Sequence, residues 1–220
     1  MNSSPLRFSY SALQIDQVEQ DKPTIPTRAL IMSIEEILRD VRKSNVTSTI
    51  HETPYDAISP TRPELSQKGR AVLITGGGTG AGFAMARAFV RASASTIIII
   101  GRRADILEDA RARLEEESET TETHSKIVAK TCDVLNLQEV DKVWKELEDE
   151  VIEGVDVYIA NAAKFTEPQP MLELGVEEVW SQVETNVKSP LYFAEKFWKQ
   201  PGTAEKQKVS SSLLFPKHSP

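Results

Sequence analysis

Cysteine is nearly absent: Cys132 is the only one in 220 residues. No intrachain disulfide can form, so a reducing compartment is expected, the cytoplasm being the simplest. Cys132 reads as a small core residue at a strand end. A nucleophilic role has little support, because no histidine stands near it in the sequence. Basic charge is in deficit, with 26 Lys and Arg against 33 Asp and Glu and a formal net charge of -7. That balance excludes nonspecific nucleic-acid binding, which needs a basic face. Long apolar runs are missing as well. The longest β-branched run is Ile97 to Ile100, far short of a membrane span, and no membrane partner is expected. There is no secretory h-region and no repeat of solenoid period, and no metal site is read. Arg7, Arg28 and several serines suggest a transit peptide, but Asp16, Glu19 and Asp21 oppose it.

What is present is ordinary for a globular protein: 40% hydrophobic and 27% charged residues, enough for one large domain or two small ones. Residues 1–31, rich in Ser, Gln, Pro and Thr, read as a disordered leader. Ser33 and Glu36 spell a capping box, predicting a short helix to about Val41 with Ile34, Ile37, Leu38 and Val41 on one stripe. The compact protein is expected to begin near Met32, itself a candidate start. Pro54, Pro60 and Pro63 make residues 44–69 an extended connector.

From Arg70 strands and helices alternate. Strands are predicted at 71–75, 96–100, 126–131 and 155–160. Helices are predicted at 83–91, 104–117 and 137–150. The acid- and threonine-rich stretch 115–123 reads as a solvated helix end and loop. Val176, Val179, Trp180, Val183 and Val187 mark a long helix, with Pro190 as a kink. Strands separated by single helices imply right-handed crossovers. The fold class is therefore α/β, a doubly wound parallel sheet with helices on both faces. Residues 201–220 form an irregular tail in which 208–215 has the composition to start a fifth strand.

Between the first strand and the first helix of this run stands Thr75-Gly76-Gly77-Gly78-Thr79-Gly80-Ala81-Gly82. Glycines allow positive φ and a close backbone approach to a pyrophosphate, and the following helix N-terminus offers free N–H groups and partial positive charge. A P-loop is excluded, because Phe83 and Ala84 stand where Lys and Ser/Thr are required. The G-x-G-x-x-G spelling fails too, since Gly82 comes one place late. The pattern that fits is Thr-Gly-x-x-x-Gly-x-Gly, and here the chain resembles the short-chain dehydrogenase/reductase family over roughly residues 70–200. The resemblance implies a Rossmann-like sheet, incomplete at its C-terminal side. It also implies a nicotinamide cofactor held by Gly76, Gly78, Thr79, Gly80, Ala81 and Gly82. The bland alternative is a flexible glycine hinge.

NAD-binding units place an acid at the end of the second strand, on the ribose 2′-hydroxyl. Here that strand ends Ile100-Gly101-Arg102-Arg103, and Asp105 already lies within the next helix. An acid would repel a 2′-phosphate, whereas an arginine grips it with a charge-assisted contact. NADP is therefore the expected cofactor, with Arg102 on the phosphate and Arg103 as helper or adenine cover. Two solvated arginines are the alternative, but cations at a helix N-terminus are disfavoured without an anion. The resemblance further implies that Asp133 and Val134 hold the adenine edge, although Asp133 also suits a helix cap. Ala160-Asn161-Ala162-Ala163 resembles the family's Asn-Asn-Ala-Gly. Asn161 is retained near the cofactor, and one polar brace is lost at Ala160.

In the family an Asn–Ser–Tyr–Lys set does the chemistry: proton transfer by a tuned tyrosine beside a hydride donor. Asn186 matches the asparagine and is the one candidate catalytic residue. Tyr10, Tyr55, Tyr158 and Tyr192 are the only tyrosines. Tyr192 and Lys196 spell Tyr-x-x-x-Lys, but the family needs a strand and a serine between asparagine and tyrosine. Tyr192 is thus expected to pack and Lys196 to be a solvated stem. Too few residues follow Asn186 for two further strand–helix units, which need on the order of 60. The chain is accordingly read as C-terminally truncated. Three functions remain open: an NADP(H)-dependent oxidoreductase lineage acting on a small alcohol or carbonyl, a noncatalytic NADP(H)-binding or interaction protein, and no independent function. A homo-oligomer is implied only for a complete form.

Overall fold

The computed structural model describes residues 51, 55–151, 154–166, 169–201 and 209–211. The leader 1–31 and the capping-box helix after Ser33 lie outside the described residues. Where an extended connector was expected, two short 3-10 turns stand, Asp56–Ile58 and Pro63–Leu65. Proline at the first position of the second suits its fixed φ to a helical turn.

Five strands make one parallel sheet: β1 (Ala71–Thr75), β2 (Thr96–Gly101), β3 (Lys126–Thr131), β4 (Val157–Ile159) and β5 (Val209–Ser211). Their order is β3-β2-β1-β4-β5, with Leu73 opposite Ile98 on one side and Tyr158 on the other. Between them run α1 (Gly80–Arg91), α2 (Ala104–Thr120) and α3 (Leu137–Glu150). After β4 come α4 (Met171–Leu174), α5 (Val176–Val183), a π-turn (Glu184–Lys188) and α6 (Ser189–Lys199).

Side chains alternate across a strand, so a sheet covered on both faces needs consecutive apolar residues. β1 and β2 supply them. Val72, Ile74, Ile97 and Ile99 pack with Phe83, Ala86 and Val90 of α1 and Leu107, Ala110 and Leu114 of α2. Leu73, Ile98 and Ile100 pack on the other face with Val140, Val143, Trp144 and Leu147 of α3 and Phe193 and Phe197 of α6. Tyr158 stacks on Phe193 with ring centroids 5.8 Å apart, which seats α6 on the sheet. The doubly wound architecture is thus the one the residue pattern predicts.

The helix ends differ from expectation in instructive ways. α1 begins at Gly80 rather than Phe83, because Phe83 N already closes a helical turn onto Thr79 O at 3.1 Å, with Gly80 itself at φ +54. α2 runs three residues beyond 117. Ser118, expected in a solvated end, is buried, and its Oγ accepts from Ser125 N at 2.7 Å. Thr121 Oγ1 donates to Glu117 O at 2.7 Å and finishes the helix. α3 is capped by Asn136, whose Oδ1 accepts from Gln138 N and Glu139 N, while Glu139 accepts from the Asn136 side-chain amide and from Asp133 N, each at 2.8 Å. The helix-cap alternative for Asp133 is therefore set aside. Its Oδ1 makes a local turn with Leu135 N at 3.0 Å.

The predicted long helix is interrupted at the π-turn. Pro190 has no N–H to give the Asn186 carbonyl. One residue earlier Ser189 N reaches back five residues to Glu184 O. The stripe that located this helix is not a core stripe among the described residues: Val176 is 78% exposed and Trp180 60%. Helical spacing identified the element correctly but not the face that the sheet buries, which carries Thr185, Ser189, Phe193 and Phe197.

Candidate functional site

The carboxyl ends of β1 to β4 open into one cavity of about 550 Å³. It lies where the order runs from β1 outward in both directions, the crevice in which open α/β sheets bind ligands. Its volume falls within the range of small-molecule sites.

The glycine turn forms its floor through Gly76, Gly78, Thr79, Gly80 and Ala81. Thr79 makes no side-chain cap, and no acid stands in the first turn of α1. This contrasts with the fully capped α3 and leaves an open, electropositive helix start. Gly80 has φ +54 with no heavy atom within 4 Å of an added Cβ. Gly82, expected at the ligand, does not border the cavity and is buried. A Cβ there would meet Gly76 O at 2.2 Å and Asn161 Nδ2 at 2.6 Å. Its role is to let α1 close onto the turn.

Asn161 borders the cavity, but its amide is committed behind it. Nδ2 donates to Thr75 O at 3.0 Å and Gly76 O at 3.2 Å. Thr75 Oγ1 in turn accepts from Asn161 N and Ala162 N at 3.1 and 3.2 Å. Thr75 and Asn161 thus lock the ends of β1 and β4 together and hold the turn open.

At one end of the cavity stand Arg102 and Arg103, both exposed and without an ion pair among the described residues. Ile106, Leu107 and Leu135 wall this end beside Asp133 and Val134. Cys132 is buried, and desolvation, reinforced by Glu139 and Asp133, pushes its thiol pKa up to about 12. That agrees with a packing role and opposes nucleophilicity.

At the other end are Ala162, Ala163, Lys164, Ser181 and Thr185. Asn186 itself does not border the cavity. Its Oδ1 accepts from Lys164 N at 2.9 Å and its Nδ2 donates to Lys164 O at 2.8 Å. The asparagine therefore fastens the loop after β4 to the π-turn. Lys164, Ser181 and Thr185 escaped the sequence reading, because a lone lysine or serine carries no signal until a fold brings it to a cavity.

Tyr192 and Lys196 lie elsewhere. Tyr192 Oη donates to Asp141 Oδ1 on α3 at 2.7 Å, and Lys196 Nζ pairs with the same oxygen at 2.5 Å. Lys196 is thus ion-paired rather than a free stem, and its ammonium sits 5.1 Å from the Tyr192 ring centroid. The Asp141 carboxylate raises the pKa of Tyr192, and that of Asp141 is lowered, chiefly by Lys196 and then by Tyr192. Neither Tyr192 nor Lys196 borders the cavity.

A family model for short chain dehydrogenases matches residues 70–207. Short chain dehydrogenase pigC of Monascus ruber is 32% identical over 153 residues, 70% of this chain and 49% of the relative. A probable NADP-dependent mannitol dehydrogenase of Yarrowia lipolytica is 31% identical over 164 residues, 74% of this chain and 55% of the relative. Among solved structures, NADPH-dependent 3-quinuclidinone reductase from Rhodotorula rubra superposes with a TM-score of 0.53 at 24% identity, covering 69% of this chain and 53% of that one. That likeness shows the fold. The chain spans about half the length of the curated relatives it matches.

Proposed function

The chain belongs to the short-chain dehydrogenase/reductase family, and from that premise we propose that it binds NADP(H) along the crevice at the strand ends. The lineage chemistry is hydride transfer between the nicotinamide and a small alcohol or carbonyl, which is what the cofactor supplies when bound. The residues fit such a group. The uncapped start of α1 and the backbone of Gly76, Gly78, Thr79, Gly80 and Ala81 hold the diphosphate, and Gly82 and Asn161 keep that turn in shape. Asp133 and Val134 bound the adenine edge. Asn186 acts as a positioning residue through the loop at Lys164.

The observation that carries the NADP preference is the Arg102–Arg103 end of the cavity, without an ion pair among the described residues, where an NAD site would place an acid. The similarity to a probable NADP-dependent relative supports it. Titration calorimetry on the 220-residue chain tests it. NADPH is expected to bind more tightly than NADH. Arg102→Asp should cost NADPH about 10- to 100-fold, as for loss of a hydrogen bond to a charged group. Equal affinities for the two nucleotides in the unmodified chain would refute the assignment.

A noncatalytic NADP(H)-binding role is the second reading. It is favoured by one observation: the single Tyr-x-x-x-Lys is spent on Asp141, away from the cavity. Hydride transfer leaves an alkoxide, and without a positioned proton donor the step loses typically about 10²–10⁴-fold. NADPH consumption against a carbonyl panel is the check. Robust turnover lost in Tyr192→Phe would return Tyr192 to the active site. A cytoplasmic location, a small alcohol or carbonyl substrate and a homo-oligomer of a longer form belong to the same proposal.

A further inference from the structure

We infer that Lys164 and Ser181 form a paired donor site for an oxygen of the nicotinamide riboside half, an assignment that rests on the NADP(H) reading above. The strand order puts the end of β2, with Arg102, and the loop after β4, with Lys164, on opposite sides of the glycine turn. A nucleotide with its 2′-phosphate at Arg102 and its diphosphate on the turn must therefore extend its other half toward Lys164.

Lys164 Nζ donates to Glu178 Oε2 at 2.8 Å and to Ser181 Oγ at 2.9 Å. An ammonium has three donors, so one remains. Ser181 Oγ accepts from Lys164, and its own O–H has no acceptor among the described residues. Thr185 also borders the cavity, but its hydroxyl is used on Ser181 O at 2.8 Å. Two unspent donors, on side chains in contact with each other, thus stand at the same cavity wall. The ligand chemistry they fit is an acceptor oxygen: a ribose hydroxyl or the carboxamide carbonyl.

The pair is held from behind. Glu178 Oε1 is buried and has no hydrogen-bond partner among the described residues, so Lys164 is the cation that balances this carboxylate. Asn186 clamps the Lys164 backbone on both its N–H and its C=O. A side chain fixed at stem and tip loses little freedom when it binds.

The test compares two ligands on the full 220-residue chain at about 0.15 M salt, where charge effects beyond roughly 8 Å are screened. NADPH carries the nicotinamide riboside; 2′,5′-ADP carries only the adenosine half. The unmodified chain should bind NADPH more tightly. Lys164→Met should weaken NADPH about tenfold or more, while leaving 2′,5′-ADP within about twofold. Ser181→Ala should weaken NADPH about threefold, again selectively, and keeps the inference testable if the lysine variant does not fold. Equal losses for both ligands, or no loss for either, would overturn the assignment. So would an unmodified chain that binds 2′,5′-ADP as tightly as NADPH. An unmodified chain that binds neither ligand would instead refute the NADP(H) reading itself.

Discussion

Adding one methyl group at Gly82 separates the two jobs of the glycine turn. In Gly82→Ala the new Cβ would lie 2.2 Å from Gly76 O, 2.6 Å from Asn161 Nδ2 and 2.9 Å from Gly76 C. Two of these three atoms are backbone, so no rotamer relieves the clash. Ordinary contact needs a further ~1 Å or more. Moving the Gly76 carbonyl pulls on its bond from Asn161 at 3.2 Å and on the Gly76 N–H to Ile100 O bond at 2.7 Å. Overpacking of this kind costs about 1–3 kcal/mol. Each weakened hydrogen bond costs up to about 1 kcal/mol. Better helix propensity returns at most about 1 kcal/mol, and less in a first turn. The net is a loss of roughly 2 kcal/mol, or about 4–8 °C in Tm for a chain of this size. NADPH affinity should fall with it, because the displaced turn is the cavity floor. Gly80→Ala is a comparison for stability only, since Gly80 itself borders the cavity. Its Cβ meets nothing, and its φ of +54 costs about 1–2 kcal/mol of backbone strain without displacing Asn161. Differential scanning fluorimetry with calorimetric titration reads both. A Gly82→Ala protein with unchanged Tm and unchanged NADPH affinity would refute the close-packing argument.

Tyr192→Phe should leave NADPH affinity unchanged and cost no more than about 1 kcal/mol, since it removes only a surface bond to Asp141; a measurable loss of binding would contradict its placement outside the site. Glu117→Gln should lower Tm by about 2–4 °C at pH 7, because the carboxylate, 11% exposed, ties Arg87 and Arg91 of α1 to α2. Burial opposes ionisation of Glu117, but the hydrogen bonds from both arginines outweigh it, so its pKa in the fold lies below the usual value. The linked stability is thus present above the unfolded carboxylate pKa and is lost as pH falls through the folded one, and the two proteins should converge once pH lies below that lowered pKa. Cys132 should resist a thiol-reactive dye at pH 8 in the native chain and react fully in denaturant; native labelling at a free-thiol rate would contradict its burial.

The amino-acid order alone determined the parallel sheet, the bounds of β1, β3 and α3, and the place of the glycine turn between β1 and α1. These features are local. Strand periodicity, helix spacing and glycine chemistry are set by neighbours in sequence, and a strand–helix–strand unit has essentially one handedness. The same locality explains Arg102: an acid is missing from a place that the chain itself defines. Only the tertiary structure decided which side chains face the cavity and which stand behind it. Gly82 and Asn161 carry the right residue types for ligand contact, yet both are spent on packing the turn. Asn136, not Asp133, caps α3, because the competition between two neighbouring oxygens is settled by backbone direction. The valine and tryptophan stripe announced a helical stretch after β4 correctly but not its buried face, which is carried on α6, where Tyr158 receives Phe193 and Phe197. Lys164 and Ser181 meet at 2.9 Å only because the π-turn and the loop after β4 converge on the Asn186 amide. Spacing along the chain carries no trace of such a meeting. It depends on the sheet order, which places the end of β4 beside the glycine turn at the end of β1.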